Sequence, residues 1–237
     1  MNFFIFIITI LCDFIFSKSL TTRESVTVLF NNNEKVHATP HITNLIRNGP
    51  GELNKQQLLK LQSLGMHEEK GEFFITRPQS LDETYITENF KLHFTRNNSP
   101  DAVQNINYVI RMGTIFEDVW DFFSDSMGFE FPPTDYQDTN SNKYDIYIVN
   151  LPTGYFGLTY TSNAAIDDAS CSSFIKMRNS YNDPTFGDHT ELENIKVTAV
   201  HEFFHAIQFG YNCFERLWFM EATAVWSEDE LYKISGD

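Results

Sequence analysis

Cysteine is scarce in this chain: three among 237 residues, at positions 12, 171 and 213. None stands at metal-ligand spacing from another, which excludes a metal site built on paired thiolates. Basic residues are few as well, 17 Lys and Arg against 32 Asp and Glu, for a formal net charge of −15. That balance argues against nucleic acid or an anionic membrane surface as a partner, because both recruit positive charge. Beyond the first 17 residues no apolar run is long enough to cross a bilayer. Internal repeats and low-complexity blocks are missing too. What remains is an ordinary globular chain, large enough for one main domain with a real core and a smaller N-terminal piece.

The chain opens on Phe3-Phe4-Ile5-Phe6-Ile7-Ile8-Thr9-Ile10-Leu11, an apolar run with the length of a signal-peptide core. Ser17 and Ser19 supply small residues for cleavage. Residues 1–19 are therefore read as a signal peptide, with a membrane anchor or a buried strand as alternatives. The expectation is a secreted, cell-surface or periplasmic protein, with no stable membrane insertion after signal removal. Cys12 would leave with the signal. Cys171 and Cys213 remain as an even pair, to be joined in an oxidising compartment or to stay as two separate buried thiols.

Residues 20–84 read as an N-terminal extension or a propeptide-like segment that covers the site. Val26, Val28 and Phe30 alternate as in a strand, and residues 42–64 look helical in two pieces split by Asn48-Gly49-Pro50-Gly51. Residues 77–84 read as a linker. The main domain is expected over 85–237, with C-terminal truncation left open. Phe90-Lys91-Leu92-His93-Phe94 alternates with period two, a half-buried strand that puts His93 on its polar, surface side. A core helix follows from about Asp101 to Met127 and is closed by Gly128. Residues 135–143 form a polar loop, in which Asp138, Asn140 and Asn142 only partly imitate a calcium loop. Strands are expected at 144–151, 154–161 and 172–177. Thr190-Glu191-Leu192-Glu193 is a capping box opening another helix, which Gly210 is expected to end.

That helix carries His201-Glu202-Phe203-Phe204-His205. Two histidines four apart lie on one helical face and can reach one metal ion, while Glu202 stands beside them as a proton acceptor. The surrounding residues are apolar nearly all round, which points to a buried helix whose polar groups need partners. A catalytic zinc ion, Zn2+, needs a third protein ligand and an open position. Among the downstream acids, Glu221 alone is embedded in apolar sequence, Leu217-Trp218-Phe219-Met220 before it and Ala222-Thr223-Ala224-Val225-Trp226 after. The bland alternative is a glutamate near a helix N-terminus interacting with the dipole.

These residues resemble the zincin metallopeptidases, specifically the gluzincin branch, in which a glutamate on a following helix completes the site. The stretch from residue 90 to 232 is similar to a group of secreted, mostly bacterial metalloproteases with Tyr-Asp-Val-Tyr-Ile-like, His-Glu-Phe-Phe-His-Ala-x-Gln-Phe-Gly-Tyr-like and Trp-Phe-x-Glu-Ala-x-Ala-x-Trp segments. The resemblance implies an α+β, zincin-like fold, a mixed sheet packed on a long core helix, with an active-site helix and a following ligand-bearing helix. It implies His201, His205 and Glu221 as ligands and Glu202 as general base. It further implies an edge strand at Tyr155, Phe156, Gly157 and Leu158 that pairs with an extended protein or peptide substrate. Tyr211 is a conceivable oxyanion donor. Where thermolysin-like enzymes place an aspartate one turn past the ligand glutamate, this chain has Val225, so any group that orients the histidines comes from elsewhere. The expected function is zinc-dependent endopeptidase hydrolysis by metal-activated water. The alternatives are a non-catalytic binding or structural protein on the same fold, with a structural or degenerate metal site, and a hydrolase of a non-peptide bond.

Overall fold

Strand β5 (Tyr144–Val149) is buried at every position, and a strand can be so only when both faces of its sheet are covered. A computed structural model describes residues 20–30, 37–133, 142–165, 169–182, 186–187 and 189–232. The residues 1–19 and most of the 135–143 loop, and with them the signal-peptide and calcium-loop readings, lie outside the described residues. Among the described residues no helix is long and apolar enough to cross a membrane.

The architecture is α+β. Three helices, α1 (Thr22–Leu29), α2 (Ala38–Asn48) and α3 (Lys55–Gln62), precede a hairpin of β1 (Met66–Glu69) and β2 (Glu72–Ile75). A five-stranded mixed sheet follows, in the order β3 (Glu83–Ile86), β4 (Phe90–Phe94), β5, β7 (Cys171–Arg178) and β6 (Gly157–Ala165). The central pairs β4–β5 and β5–β7 are parallel, and the outer pairs β3–β4 and β6–β7 are antiparallel. Helix α4 (Ile106–Trp120) lies between β4 and β5 in sequence. Helices α5 (Glu191–Asn212) and α6 (Leu217–Leu231) close the described chain.

Period-two alternation sorts the sheet's side chains into two cores. Tyr144, Ile146, Ile148, Ile175 and Met177 face α4 and α5 in a core with Phe116, Phe123, Ala199, Phe203 and Ile207. Tyr147, Val149, Leu158, Tyr160 and Phe174 face the other way, onto Val26, Leu29, Ile42, Leu45, Leu61 and Phe73. The N-terminal segment is thus a covering layer of the sheet, its apolar faces spent on the main domain. Arg47, at the end of α2, adds a polar tie. Its guanidinium donates to Glu215 O at 2.8 Å and, through Nε, to Cys213 O at 3.0 Å.

Several expectations are corrected. Residues 22–29 are helical, because Thr21 and Glu24 form a capping box and the residues that bury are Val26 and Leu29 while Val28 stays 39% exposed. That is helical spacing, and it overrides the alternation. The linker ends in β3, and the core helix starts at Ile106, where the Asn105 side chain accepts from Tyr108 N. It then runs through a π-helical turn at Asp121–Ser126 before Gly128, whose φ of 75° ends it. His93 is not a surface histidine. Its Nε2 lies 2.8 Å from the buried Asp145 Oδ1, and its ring stacks on Tyr147 with centroids 4.4 Å apart. Helix α5 runs past Gly210 to Asn212. Gly210 answers a close approach instead, since a Cβ there would meet Pro133 Cδ at 3.0 Å.

Candidate metal centre

Helix α5 is opened by its capping box: Thr190 Oγ1 accepts from Glu193 N (3.2 Å), and Glu193 Oε2 accepts from Thr190 N (2.7 Å). Ile195, Ala199, Val200, Phe203, Ala206 and Ile207 are all at most 1% exposed, which fixes the helix's rotation between the sheet, α4 and α6. His201 and His205 are then held with their Nε2 atoms 3.2 Å apart. On α6, Met220, Ala224 and Ser227 are the buried positions. Glu221 is thereby carried to the histidines, with Oε1 3.3 Å from His201 Nε2 and Oε2 3.7 Å from His205 Nε2.

Those three spacings fit one ion. Ligands at about 2.0–2.1 Å from a tetrahedral zinc stand roughly 3.3 Å from one another. The proton inventory agrees. His201 Nδ1 is 2.6 Å from Glu228 Oε1, and an ionised carboxylate only accepts, so Nδ1 carries the proton. His205 Nδ1 is 2.8 Å from Gln208 Oε1, and that amide's orientation is set because its Nε2 donates to Met220 O (2.8 Å). In the neutral rings both Nε2 lone pairs therefore point at the same space. Both Glu221 oxygens are buried without a well-directed hydrogen bond, although His37 Nδ1 stands 2.6 Å from Oε1. Groups that converge on a point, rather than pairing along hydrogen-bond directions, are what a cation explains.

The electrostatics ask for positive charge at that point. Burial works to raise the pKa of Glu221, but the neighbouring imidazoles of His205, His37 and His201 hold it far below the usual carboxylate range. Burial works to lower that of His205, and Glu221, Glu202 and Gln208 outweigh it, so the net shift is upward.

Glu202 points to the sheet edge. Its Oε2 lies 2.7 Å from Thr159 Oγ1 on β6 and accepts from Thr39 Oγ1 on α2 at 3.0 Å. Gly157 makes this approach possible, because a Cβ there would meet Thr198 Cγ2 at 2.6 Å and Glu202 Cγ at 2.8 Å. The Arg178 guanidinium pins the loop before β6, with Nη1 2.8–3.0 Å from Leu151 O, Pro152 O and Tyr155 O. A small cleft results, no larger than a water molecule needs, lined by His37, Phe156, Gly157, Thr198, His201 and Glu202.

Of the residues singled out in the sequence, His201, His205, Glu221 and Glu202 come together. β6 is an edge strand as expected, but it starts at Gly157, so Tyr155 and Phe156 precede it, and of the four named residues only Phe156 and Gly157 reach the cleft. Tyr155 and Leu158 are buried in the second core, where the Tyr155 hydroxyl donates to Leu29 O. Tyr211 is not brought to the site: it lies on the α5 face of Phe204 and Ile207, and its hydroxyl accepts from Glu130 N at 2.9 Å. Cys171 and Cys213 form a disulfide that ties the start of β7 to the turn after α5.

Sequence reasoning missed Glu228, Gln208, His37, Thr39 and Thr159. Glu228 sits seven residues past Glu221 and Gln208 three past His205, spacings that share a helical face and could have been searched. His37 pairs with Glu221 and Thr39 with Glu202 from more than 160 residues away, and Thr159 meets Glu202 from another element, so no local pattern announces them. His37, His201 and Glu221 each offer a ligand atom within 4.8 Å of the others. No protein-family profile, curated protein or solved structure matches this chain.

Proposed function

We propose that this chain is a zinc-dependent endopeptidase of the gluzincin type, acting outside the cytoplasm. The observation that carries the reading is the meeting of His201 Nε2, His205 Nε2 and the Glu221 carboxylate at zinc-like spacing, with Glu202 beside His201 in the cleft at the start of β6. Bound zinc would supply Lewis acidity toward the scissile carbonyl and lower the pKa of the hydrolytic water. The remaining work falls to side chains. Glu202 takes the proton of the attacking water and passes it to the leaving amine as the C–N bond breaks, so that one carboxylate serves as base and then acid. Glu228 and Gln208 hold the two imidazoles as Nδ1–H tautomers, which keeps Nε2 on each ring free for the metal. Edge strand β6 offers main-chain groups along which an extended peptide can be laid.

A second reading is favoured by His37. Four protein donors around zinc are the signature of a structural site, while catalytic sites keep one position open. On that reading the chain is a non-catalytic binding or structural protein.

Metal content and a peptide-library or casein screen, run on the purified chain and on Glu202→Gln, test the proposal. The expected result is one zinc per chain and cleavage that Glu202→Gln removes while zinc is retained. Zinc with cleavage indifferent to that substitution would refute Glu202 as the base.

A further inference from the structure

The tip of α2 enters the proposed site through His37 and Thr39. His37 Nδ1 stands 2.6 Å from Glu221 Oε1, and its ring lies 5.2 Å, centroid to centroid, from that of His201. Two residues on, the Thr39 hydroxyl donates to Glu202 Oε2 and accepts from Thr159 N, each at 3.0 Å. One hydroxyl thus engages both the proposed base and a main-chain N–H on the outer edge of β6. These are the groups that an attacking water and an extended substrate need for themselves.

The insertion is anchored. Ala38, Ile42 and Leu45 are 0–2% exposed in the second core, and Arg47 grips the connection between the two ligand-bearing helices through the carbonyls of Cys213 and Glu215. The contact is not the requirement of helix capping, because His37, although at the N-cap of α2, makes no capping hydrogen bond. Its imidazole is 38% exposed and turned to Glu221.

We propose that residues 37–39 are a built-in plug: His37 fills the coordination position that a catalytic zinc must leave open, Thr39 occupies Glu202 and the sheet edge, and the chain in this form is latent. The inference rests on the zinc-peptidase reading and names its regulation. Activity then requires withdrawal of the N-terminus of α2, not assembly of new machinery.

The test uses the full chain loaded with Co2+ alone, whose visible absorption reports its ligands and geometry, together with zinc competition against a chromogenic chelator. His37→Ala is expected to change the cobalt spectrum and to weaken zinc binding by at least the ~10–100-fold that follows loss of a ligand's outer partner. It should also raise casein or peptide cleavage by at least about tenfold, as the competent state becomes dominant. Glu202→Gln in the His37→Ala chain should abolish that gain. Thr39→Val, added to His37→Ala, should leave the spectrum where it was and raise cleavage further. Thermal melting of each chain verifies folding. An unchanged cobalt spectrum and zinc affinity in His37→Ala would overturn the proposal. So would a changed spectrum with no cleavage, which identifies a closed structural site. Absence of stoichiometric cobalt from the parent chain itself is a different outcome, and removes the peptidase reading and the plug together.

Discussion

Glu228 Oε1 lies 2.6 Å from His201 Nδ1, two helical turns past Glu221 on the same helix. One helix therefore supplies both a proposed metal ligand and the group that orients another proposed ligand, and their relative position is set by helix geometry alone. The position one turn past Glu221 is Val225, which is 42% exposed and takes no part. Glu228→Ala should leave His201 free to choose its tautomer and lower zinc affinity about 10–100-fold, read by chelator competition. Glu228→Gln, which keeps an accepting oxygen, should lose less. Equal affinity in all three chains would refute the orienting role.

Gly157 is the place where backbone and proposed base meet. In Gly157→Ala the new methyl would lie within 3 Å of Thr198 Cγ2 and Glu202 Cγ, and overpacking of this kind costs about 1–3 kcal/mol. Urea unfolding should show that loss. Zinc affinity should stay near that of the parent, because the proposed ligands His201, His205 and Glu221 lie on α5 and α6. A variant as stable as the parent would mean that Glu202 can move away freely.

The Cys171–Cys213 bond closes a loop of 42 residues in sequence separation, and cross-linking at that length stabilises by about 4 kcal/mol in the chain-entropy picture. Its Cys213 end sits at the turn that sets α6 against α5, beside Phe209 and Met220. Reduction, or Cys171→Ala with Cys213→Ala, should lower the melting temperature and weaken zinc binding in parallel. Loss of stability with zinc affinity intact would separate the disulfide from the metal centre.

Lys176 is buried on the covered face of the sheet, its Nζ donating to Leu64 O at 2.9 Å and lying 4.5 Å from the centre of the Tyr160 ring. Burial, aided by the nearby Arg77, pushes its pKa down to about 8 from 10.5. The unfolded chain therefore holds more protons than the folded one between those values, and stability should rise as pH climbs from about 8 toward 10.5, by up to about 3 kcal/mol. Buried tyrosines act oppositely. Tyr144 and Tyr181 are raised by burial, so the unfolded chain loses their protons first and stability falls above about pH 10. The Lys176 effect is thus best read by urea unfolding between pH 7.5 and 9.5, and Lys176→Met should flatten it. Leu64 O also accepts from the Tyr160 hydroxyl at 2.8 Å, so the substitution does not strip it of its other donor. A slope that survives in Lys176→Met belongs to another group.

By itself the sequence determined what is local. The capping box at Thr190, the four-residue spacing of His201 and His205 and the apolar run around Glu221 are statements about one or two turns of helix. Periodicity sufficed for β4 and β5 in the same way. It misled at residues 22–29, where a capping box and burial of Val26 and Leu29 outweighed an apparent alternation, and at His93, whose ring is held by Asp145 and Tyr147 of the neighbouring strand β5. Only the tertiary structure decided the rest. The described residues 20–30 and 37–75 cover the sheet because its five strands have two apolar faces and one pair of helices, α4 and α5, can cover only one of them. That covering layer is what carries His37 and Thr39 around the edge of β6 to Glu221 and Glu202, more than 160 residues away in sequence. No spacing rule operates over such a distance; the meeting is set by which faces of the sheet must be kept from water.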